Sequence, residues 1–146
     1  MGNNVEFVIE MPNKIFLSTE AASVVVPSKK GDAMVLSERA PSVFVLDLGV
    51  LQLLDETSNV MDKYYVASGS ADMSMGKLRI LTPMAVPAKD MTLDKAKALV
   101  ENAKNEFHKL FYQMIVDDLR GVRRGYLRKL RVLTKRPSDQ PQGEAV

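Results

Sequence analysis

A change in the spacing of apolar residues near Pro87 is the feature that most limits how this chain can fold. Before it, short runs of β-forming residues alternate with turns, and in Lys77–Thr82 polar and apolar residues alternate as in a half-buried strand. Beyond it, apolar residues recur every three or four positions, which is the period of an amphipathic helix. The sequence therefore predicts a β domain at 1–87, helices at 88–136 and a flexible polar tail at 137–146.

The first part of the chain predicts an antiparallel β-sandwich. Its strand-like segments recur about every ten residues and are separated by Gly, Pro and polar turns, a pattern typical of sandwiches and flattened barrels. The predicted strands are Val5–Met11, Ala22–Val26, Ala33–Leu36, Ser42–Leu46, Gly49–Leu54, Lys63–Ser68 and Lys77–Thr82.

The second part predicts an α-helical hairpin. Thr92 is placed to cap the first helix, and Asp94 lies in its first turn, where the helix dipole favours an acid. A second helical stripe runs from Leu119 to Leu133. Two positions remain open for the turn: a site near His108–Asp118, or a break at Gly121 after a longer first helix.

The composition removes several classes of active site. The chain has no cysteine and one histidine, His108, so the sequence predicts no metal site and no thiol chemistry. The neighbouring carboxylates Asp117 and Asp118 point about 100° apart on a helix and do not converge as a catalytic pair. No base lies near the hydroxyls of Ser68 and Ser70 in the sequence, so we expect neither an enzyme nor a cofactor.

Positive charge is concentrated towards the end of the chain. Residues 1–87 carry 7 Lys and Arg against 10 Asp and Glu, whereas residues 88–136 carry 13 against 6. Three interpretations remain open: a solvated helix face, a contact with an acidic protein surface, and binding to nucleic acid or anionic lipid. Residues 119–136 carry eight basic residues and no acid, and Tyr126 is the only aromatic residue among them, which argues against nucleic acid. The candidate contact residues are Arg120, Arg123, Arg124, Arg128 and Arg131.

Three ordered segments resemble the epsilon subunit family of F-type ATP synthases, called epsilon in bacteria and delta in mitochondria. Val24–Gly31 is similar to the family pattern V-x-V-P-x-x-x-G, and Val35–Pro41 followed by Gly49-Val50-Leu51 is similar to I-L-P-G-H-A-P and G-V-L. Lys63–Ser70 with Leu78–Leu81 is similar to K-Y-F-V-S-S-G-S and V-x-L-L. Each motif is weak alone, but the ordered set covers about residues 5–105.

This resemblance implies a non-catalytic central-stalk subunit of the proton-translocating ATP synthase. The sandwich would couple the gamma-type stalk to the c-ring, and the protein would be peripheral to the membrane through that ring. The helices would meet the mitochondrial epsilon subunit or the catalytic β subunit, and would regulate ATP hydrolysis. The implied stalk and c-ring contacts are Glu38, Arg39, Ala40, Pro41, Ser68 and Ser70.

The chain also departs from the family pattern. Ser37-Glu38-Arg39 replaces Pro-Gly-His before Ala-Pro, which alters any rotor contact made by that histidine. Asp94 and Lys97 match the nucleotide-binding pattern I/L-D-x-x-R-A except that lysine replaces arginine, and lysine lacks the planar fork, so we expect weak ATP binding at best.

Two further expectations concern location and an alternative role. Ser68-Gly69-Ser70 is closer to mitochondrial delta than to the bacterial S-G-G, which predicts the matrix side of the mitochondrial inner membrane. The alternative location is the cytoplasmic face of a bacterial inner membrane. The alternative function is a β-sandwich binding module whose basic helical arm meets nucleic acid or an anionic membrane.

Overall fold

The computed structural model describes residues 4–121 of the chain. Eight strands come first, a 3₁₀ turn at Ala88–Asp90 follows, and two helices complete the described part. The strands are β1 (Val5–Met11), β2 (Lys14–Ala21), β3 (Ser23–Ser28), β4 (Gly31–Leu36), β5 (Ser42–Leu54), β6 (Val60–Ser74), β7 (Lys77–Leu81) and β8 (Ala85–Pro87). The helices are α1 (Leu93–Glu101) and α2 (Glu106–Leu119).

Hydrogen bonds join all eight strands into one sheet in the order β2-β1-β7-β6-β5-β3-β4, with β8 also paired to β6. The pairings are antiparallel except for β1 with β7, which run parallel. The two longest strands, β5 and β6, form the centre of the sheet. The predicted class, a β-sandwich followed by two helices, is confirmed.

The sheet folds around its core because β6 contains a corner at Ser68 and Gly69. Both residues have positive φ values, 65° and 123°, within a strand that continues to Ser74. Before the corner the even-numbered residues Tyr64 and Val66 face the main core. After it the odd-numbered residues Ala71 and Met73 face the core instead. A strand of regular pleat could not change the inward-facing parity in this way.

The main core lies inside the folded sheet. All eight strands contribute buried side chains to it, and the largest include Phe7, Ile9, Leu51, Met73 and Ile80. The members of this cluster all precede residue 88. The sandwich thus has an apolar core of its own, independent of the helices.

The helices cover a second, smaller apolar cluster on the outside of the sheet. Phe111, Met114 and Ile115 of α2 are fully buried in a cluster with Leu48 and Tyr65. Polar contacts reinforce this packing at the end of α2, where the hydroxyl of Tyr65 donates to Asp118 Oδ2 at 2.7 Å and Lys63 Nζ lies 3.9 Å from the same oxygen. Helix α2 is therefore fixed to the sheet by apolar and polar contacts together.

Two strands were missing from the sequence prediction. β2 is an edge strand in which only Ala21 is buried, so its residues lack the alternation that marks a half-buried strand. β8 has only three residues. The prediction also divided β5 into Ser42–Leu46 and Gly49–Leu54 and ended its sixth strand at Ser68, whereas both strands continue.

The turn predicted near His108–Asp118 is wrong, because α2 is continuous through that segment, whereas a helix does end before Gly121, which has φ 80°. The prediction missed an additional break between Glu101 and Glu106. Helix α1 ends at Glu101, and α2 begins after Asn105, whose side chain accepts from the His108 amide at 2.9 Å. The apolar period continues across the break, which explains why a longer first helix was expected. The start predicted at Thr92 is confirmed, since its side chain accepts from the Lys95 amide at 3.2 Å. The second predicted stripe, Leu119–Leu133, lies almost wholly outside the described residues.

Candidate functional site

The loop between β4 and β5 lies at one end of the sandwich. Its residues Glu38, Arg39, Ala40 and Pro41 are all exposed. Together with the tip of the β6–β7 hairpin at Met75 they line a cleft of about 490 Å³. Met75 is 95% exposed, which is unusual for a large apolar side chain. We call this surface, residues 38–41 with Met75, the tip.

Arg39 gives the tip a defined shape. Its guanidinium carbon lies 4.9 Å from the centroid of the Phe44 ring, and its Nε donates to Ser42 Oγ at 3.4 Å. Ser42 Oγ in turn donates to the carbonyl of Ala40 at 2.8 Å. The cation–π contact and these hydrogen bonds hold the loop against the start of β5.

A row of exposed apolar residues crosses the outer face of the sandwich beside the tip. Val45 of β5 pairs with Ser70 of β6, and Ser70 pairs with Leu81 of β7, so the three side chains lie on one face. Val45 is 58% exposed and Leu81 43%, while Val43, two residues from Val45 on the same face, is 73% exposed. We call Val43, Val45, Ser70 and Leu81 the outer row.

The six contact residues predicted from the sequence therefore lie in three places. Glu38, Arg39, Ala40 and Pro41 share the tip, and Ser70 lies in the middle of the outer row. Ser68 is half-buried at the corner of β6, where it shapes the strand. Whether these residues bind a partner stays a prediction.

The predicted nucleotide residues lie on a different surface. Asp94 and Lys97 are both exposed on α1. They lie beyond the 3₁₀ turn, on the helical side of the molecule, and not at the tip. ATP binding at these positions stays a prediction.

Only the first residue of the basic set is described. Arg120 is exposed and forms the C-terminal cap of α2. Arg123, Arg124, Arg128 and Arg131 lie outside the described residues. The basic contact proposed for this segment stays a prediction.

A comparison with protein families decides the identity of the sandwich. The sequence model of the ATP synthase Delta/Epsilon chain, beta-sandwich domain, matches residues 4–88. The matched segment is the strand region described above and covers more than half of the chain. This protein belongs to the ATP synthase delta/epsilon chain family.

Individual relatives agree with this assignment. The ATP synthase epsilon chain of Allorhizobium ampelinum is 29% identical over 73% of this chain and 78% of its own length. The epsilon chain of Rhizobium rhizogenes is 28% identical over 75% and 85%. As a member of the delta/epsilon family the protein is a non-catalytic subunit of ATP synthase, as the sequence predicted.

Solved structures of similar fold come from mitochondrial ATP synthases. A chain in the Euglena gracilis complex of OSCP, F1 and c-ring has a TM-score of 0.58 and 18% identity, covering 82% of this chain and 80% of that one. A chain in the central stalk and c-ring of Tetrahymena thermophila has a TM-score of 0.52 and 14% identity, covering 79% and 96%. At these identities the likeness concerns the fold alone.

The adjacent acids Asp117 and Asp118 of this delta/epsilon chain make structural contacts. Asp117 accepts from Gln113 within α2, and Asp118 bonds to Tyr65, so these two acids serve different partners. Within residues 4–121 no group of three metal-binding side chains is found, and no helix has the length and apolar character needed to cross a membrane.

Local contacts shift the pKa values of two side chains. The pKa of Asp55 is lowered by hydrogen bonds, first from the Asn59 amide and then from the Thr57 side chain, in the β5–β6 turn. Burial raises the pKa of Tyr64, and the charge of Asp62 adds to that rise. Neither perturbed group borders the tip or the outer row.

Sequence reasoning missed the outer row and the tip position of Met75. The signal was present, because Val43-Phe44-Val45 is apolar on both faces of its strand, and one of those faces must lie outside the core. A run of this kind indicates either burial on both faces or a surface that meets another molecule.

Proposed function

We propose that this protein is a central-stalk subunit of an F-type ATP synthase, in which the sandwich joins the gamma-type stalk subunit to the c-ring. The observation that carries the proposal is the match of the family's sandwich domain to residues 4–88, a region that exposes an apolar row beside its tip. Exposed apolar residues that share one face are typical of surfaces covered in an assembly. The family assignment does not favour the alternative of a nucleic-acid or membrane module.

The two surfaces suit two partners. The outer row offers branched apolar side chains on a regular strand face, which fits a large contact with the stalk subunit. The tip offers a polar loop with one exposed methionine, and a methionine side chain adapts to a partner that presents repeated subunits. We therefore place the stalk subunit on the outer row and the c-ring at the tip.

The role of the subunit in this assembly is mechanical. Torque passes between the stalk and the ring only if the connecting body keeps its shape. The continuous sheet, with fully buried residues such as Phe7 and Ile80 in one core, provides a stiff body of this kind.

The outer row can be tested by a matched pair of double variants. Val45→Ser with Leu81→Ser removes apolar surface from the row, while Val60→Ser with Met61→Ser removes side chains of similar exposure, 49% each, at the other end of β6. Each variant carries an affinity tag and is purified from its own cells after mild solubilisation. The co-purified proteins are identified by mass spectrometry.

We expect the tagged wild-type chain to retain the stalk and c-ring subunits. The row variant should retain roughly a tenth of the stalk subunit, since losing two apolar contacts weakens binding by more than 1.4 kcal/mol. The Val60 and Met61 variant should resemble the wild type. Recovery of RNA-binding proteins in place of synthase subunits would reject the proposed function.

The cellular location of the subunit is also part of the proposal. We place the subunit on the matrix side of the mitochondrial inner membrane, which is supported by the resemblance of Ser68-Gly69-Ser70 to the mitochondrial pattern. Fractionation of cells with an antibody to the chain tests this, and recovery with a bacterial cytoplasmic membrane would contradict it.

The basic segment after α2 is assigned to regulation. Replacing Arg123, Arg124, Arg128 and Arg131 by Gln removes charge but keeps helix propensity. Assembly with the stalk should remain intact, while the rate of ATP hydrolysis should change, and more strongly at low salt. Loss of the whole stalk complex would instead place the rotor-binding surface on the helices.

A further inference from the structure

A second cleft lies beside the tip, between the β3–β4 turn and the start of β5. Its volume is about 480 Å³. Lys29, Lys30 and Arg39 line it, and none of its lining residues is acidic. The other residues of the wall are Ser28, Ser42, Val43, Phe44 and Val45.

The three cations have no carboxylate partner in the described part of the chain. The ion pairs within residues 4–121 are Arg79 with Glu10 and Lys63 with Asp118. Glu38, the acid next to Arg39 in sequence, lines the cleft at the tip and not this one. The cleft therefore presents concentrated positive charge to an incoming molecule.

At one wall of this cleft β5 extends beyond its pairing with β3, and this short free edge consists of the backbone groups of Val43. The pairing of β3 with β5 ends where Ser28 lies opposite Leu46, and the Lys29 amide donates to the Val45 carbonyl at 2.9 Å. In an antiparallel ladder, residues two apart direct their backbone groups to the same side, so Val43 directs its N–H and C=O towards this edge. No backbone group among residues 4–121 bonds to Val43 on that side.

We propose that an extended acidic segment of the stalk subunit adds to this free edge as a further strand, with its carboxylates paired to Lys29, Lys30 and Arg39. An unpaired edge recognises an extended backbone through main-chain hydrogen bonds, and charged side chains beside it select the sequence. Val43 and Val45 belong both to the cleft and to the outer row, so the added strand continues the contact surface assigned above. The identity of the partner rests on the proposed function.

The contribution of the positive charges in this cleft can be tested without changing any residue of the tip. Lys29→Gln with Lys30→Gln leaves Arg39 in place, and Lys14→Gln with Lys104→Gln removes the same charge from exposed lysines elsewhere. In the purified complex, the first variant should hold the stalk subunit about tenfold less tightly at low salt, and the difference should shrink as salt is raised. The control variant should behave as the wild type does.

A proline substitution at Val43 tests whether a strand of the partner pairs with the backbone of this edge. Val43→Pro removes the free N–H of the edge and does not disturb the pairing with β6, because that N–H points away from β6. Val43→Thr keeps the N–H and a branched side chain. We expect Val43→Pro to lose the stalk subunit and Val43→Thr to keep it, with both variants melting cooperatively.

A zero-length carbodiimide reagent then identifies the partner's chemistry. It joins a lysine amine to a carboxylate in direct contact, so Lys29 or Lys30 should be coupled to an Asp or Glu of the stalk subunit in the intact complex. Normal stalk retention by both the Lys29/Lys30 and Val43→Pro variants would overturn the inference. Binding to anionic phosphatidylglycerol vesicles that depends on Lys29 and Lys30, without effect on stalk retention, would overturn it too.

Failure of the wild-type chain itself to retain the stalk subunit would have a different meaning from these outcomes. It would reject the proposed function itself, since the inference concerns only how the stalk subunit is held.

Discussion

Replacing Gly69 by Ala should destabilise this protein strongly. Gly69 has φ +123°, and a Cβ built there would lie 1.9 Å from the carbonyl oxygen of Leu81, whereas real contacts of this kind do not fall below 3.0 Å. The strands β6 and β7 would have to separate by about 1 Å at this point. The variant therefore combines backbone strain with the opening of a strand pair.

Gly31 offers a matched control for the strain alone. Its φ of +114° is similar, but a Cβ at this position meets nothing within 4 Å. A side chain at such a φ costs roughly 1–3 kcal/mol, and this cost applies to both variants. The difference between Gly69→Ala and Gly31→Ala therefore isolates the approach of β6 to β7.

The cost of opening follows from the contacts around Leu81. Opening at this point disturbs the Ser70–Leu81 pair of the β6–β7 ladder and the bond in which the Ala67 amide donates to Thr82 Oγ1 at 3.3 Å. Lost hydrogen bonds cost about 1 kcal/mol each, so Gly69→Ala should be about 2–3 kcal/mol less stable than Gly31→Ala. A domain of this size is typically stable by about 5–15 kcal/mol, so Gly69→Ala should be marginal.

Urea denaturation of the purified full-length chain, followed by far-ultraviolet circular dichroism, measures both free energies of unfolding. Equal m-values would show that both variants unfold from a native state of similar compactness. Equal stabilities of Gly69→Ala and Gly31→Ala would refute the reasoning, because the contact with Leu81 would then have no energetic consequence.

Three further outcomes are expected. Tyr65→Phe should lower the free energy of unfolding by roughly 1.5–3 kcal/mol, because the buried Asp118 loses its hydroxyl donor, and Tyr112→Phe should change it by less than about 0.5 kcal/mol in the same urea assay. Asp55→Ala should be less stable than the wild type at neutral pH. The pKa of Asp55 is lowered from its ordinary value of 3.8, so this difference should shrink as the pH falls below 3.8, as thermal melts from pH 7 to pH 2 would show. A chain ending at Pro87 should still melt cooperatively as a β-protein, but with lower stability, because Leu48 and Tyr65 lose their cover at a cost of roughly 2 kcal/mol each; an unfolded spectrum would place the helices in the essential core.

Elements with a strong internal pattern were predictable from the sequence. β7 alternates polar and apolar residues and occurs as predicted, and the start of α1 at Thr92 follows from ordinary capping chemistry. β2 was missed because an edge strand with exposed residues need not alternate. The turn at residues 102–105 was missed because it interrupts the backbone without interrupting the apolar period.

The candidate surfaces were predictable only in part. The loop Glu38–Pro41 was found through motif resemblance, and it lies exposed at the tip. Its proximity to Met75 depends on the pairing of β5 with β6, in which Ser42 lies opposite Met73, a residue more than thirty positions further along the chain. The face of the sheet on which Val43 and Val45 lie depends on the corner at Ser68 and Gly69 in the neighbouring strand. The local sequence does not reveal in which direction a strand turns.

Strand β6 connects the helix contact and the outer row without interruption. Tyr65, which holds α2, and Ser70, in the outer row, lie five residues apart on the same strand, at most about 17 Å along the chain. No loop or hinge separates them, and the strained corner between them is braced by the backbone of Leu81. A displacement of α2 would therefore be transmitted along β6 to the outer row.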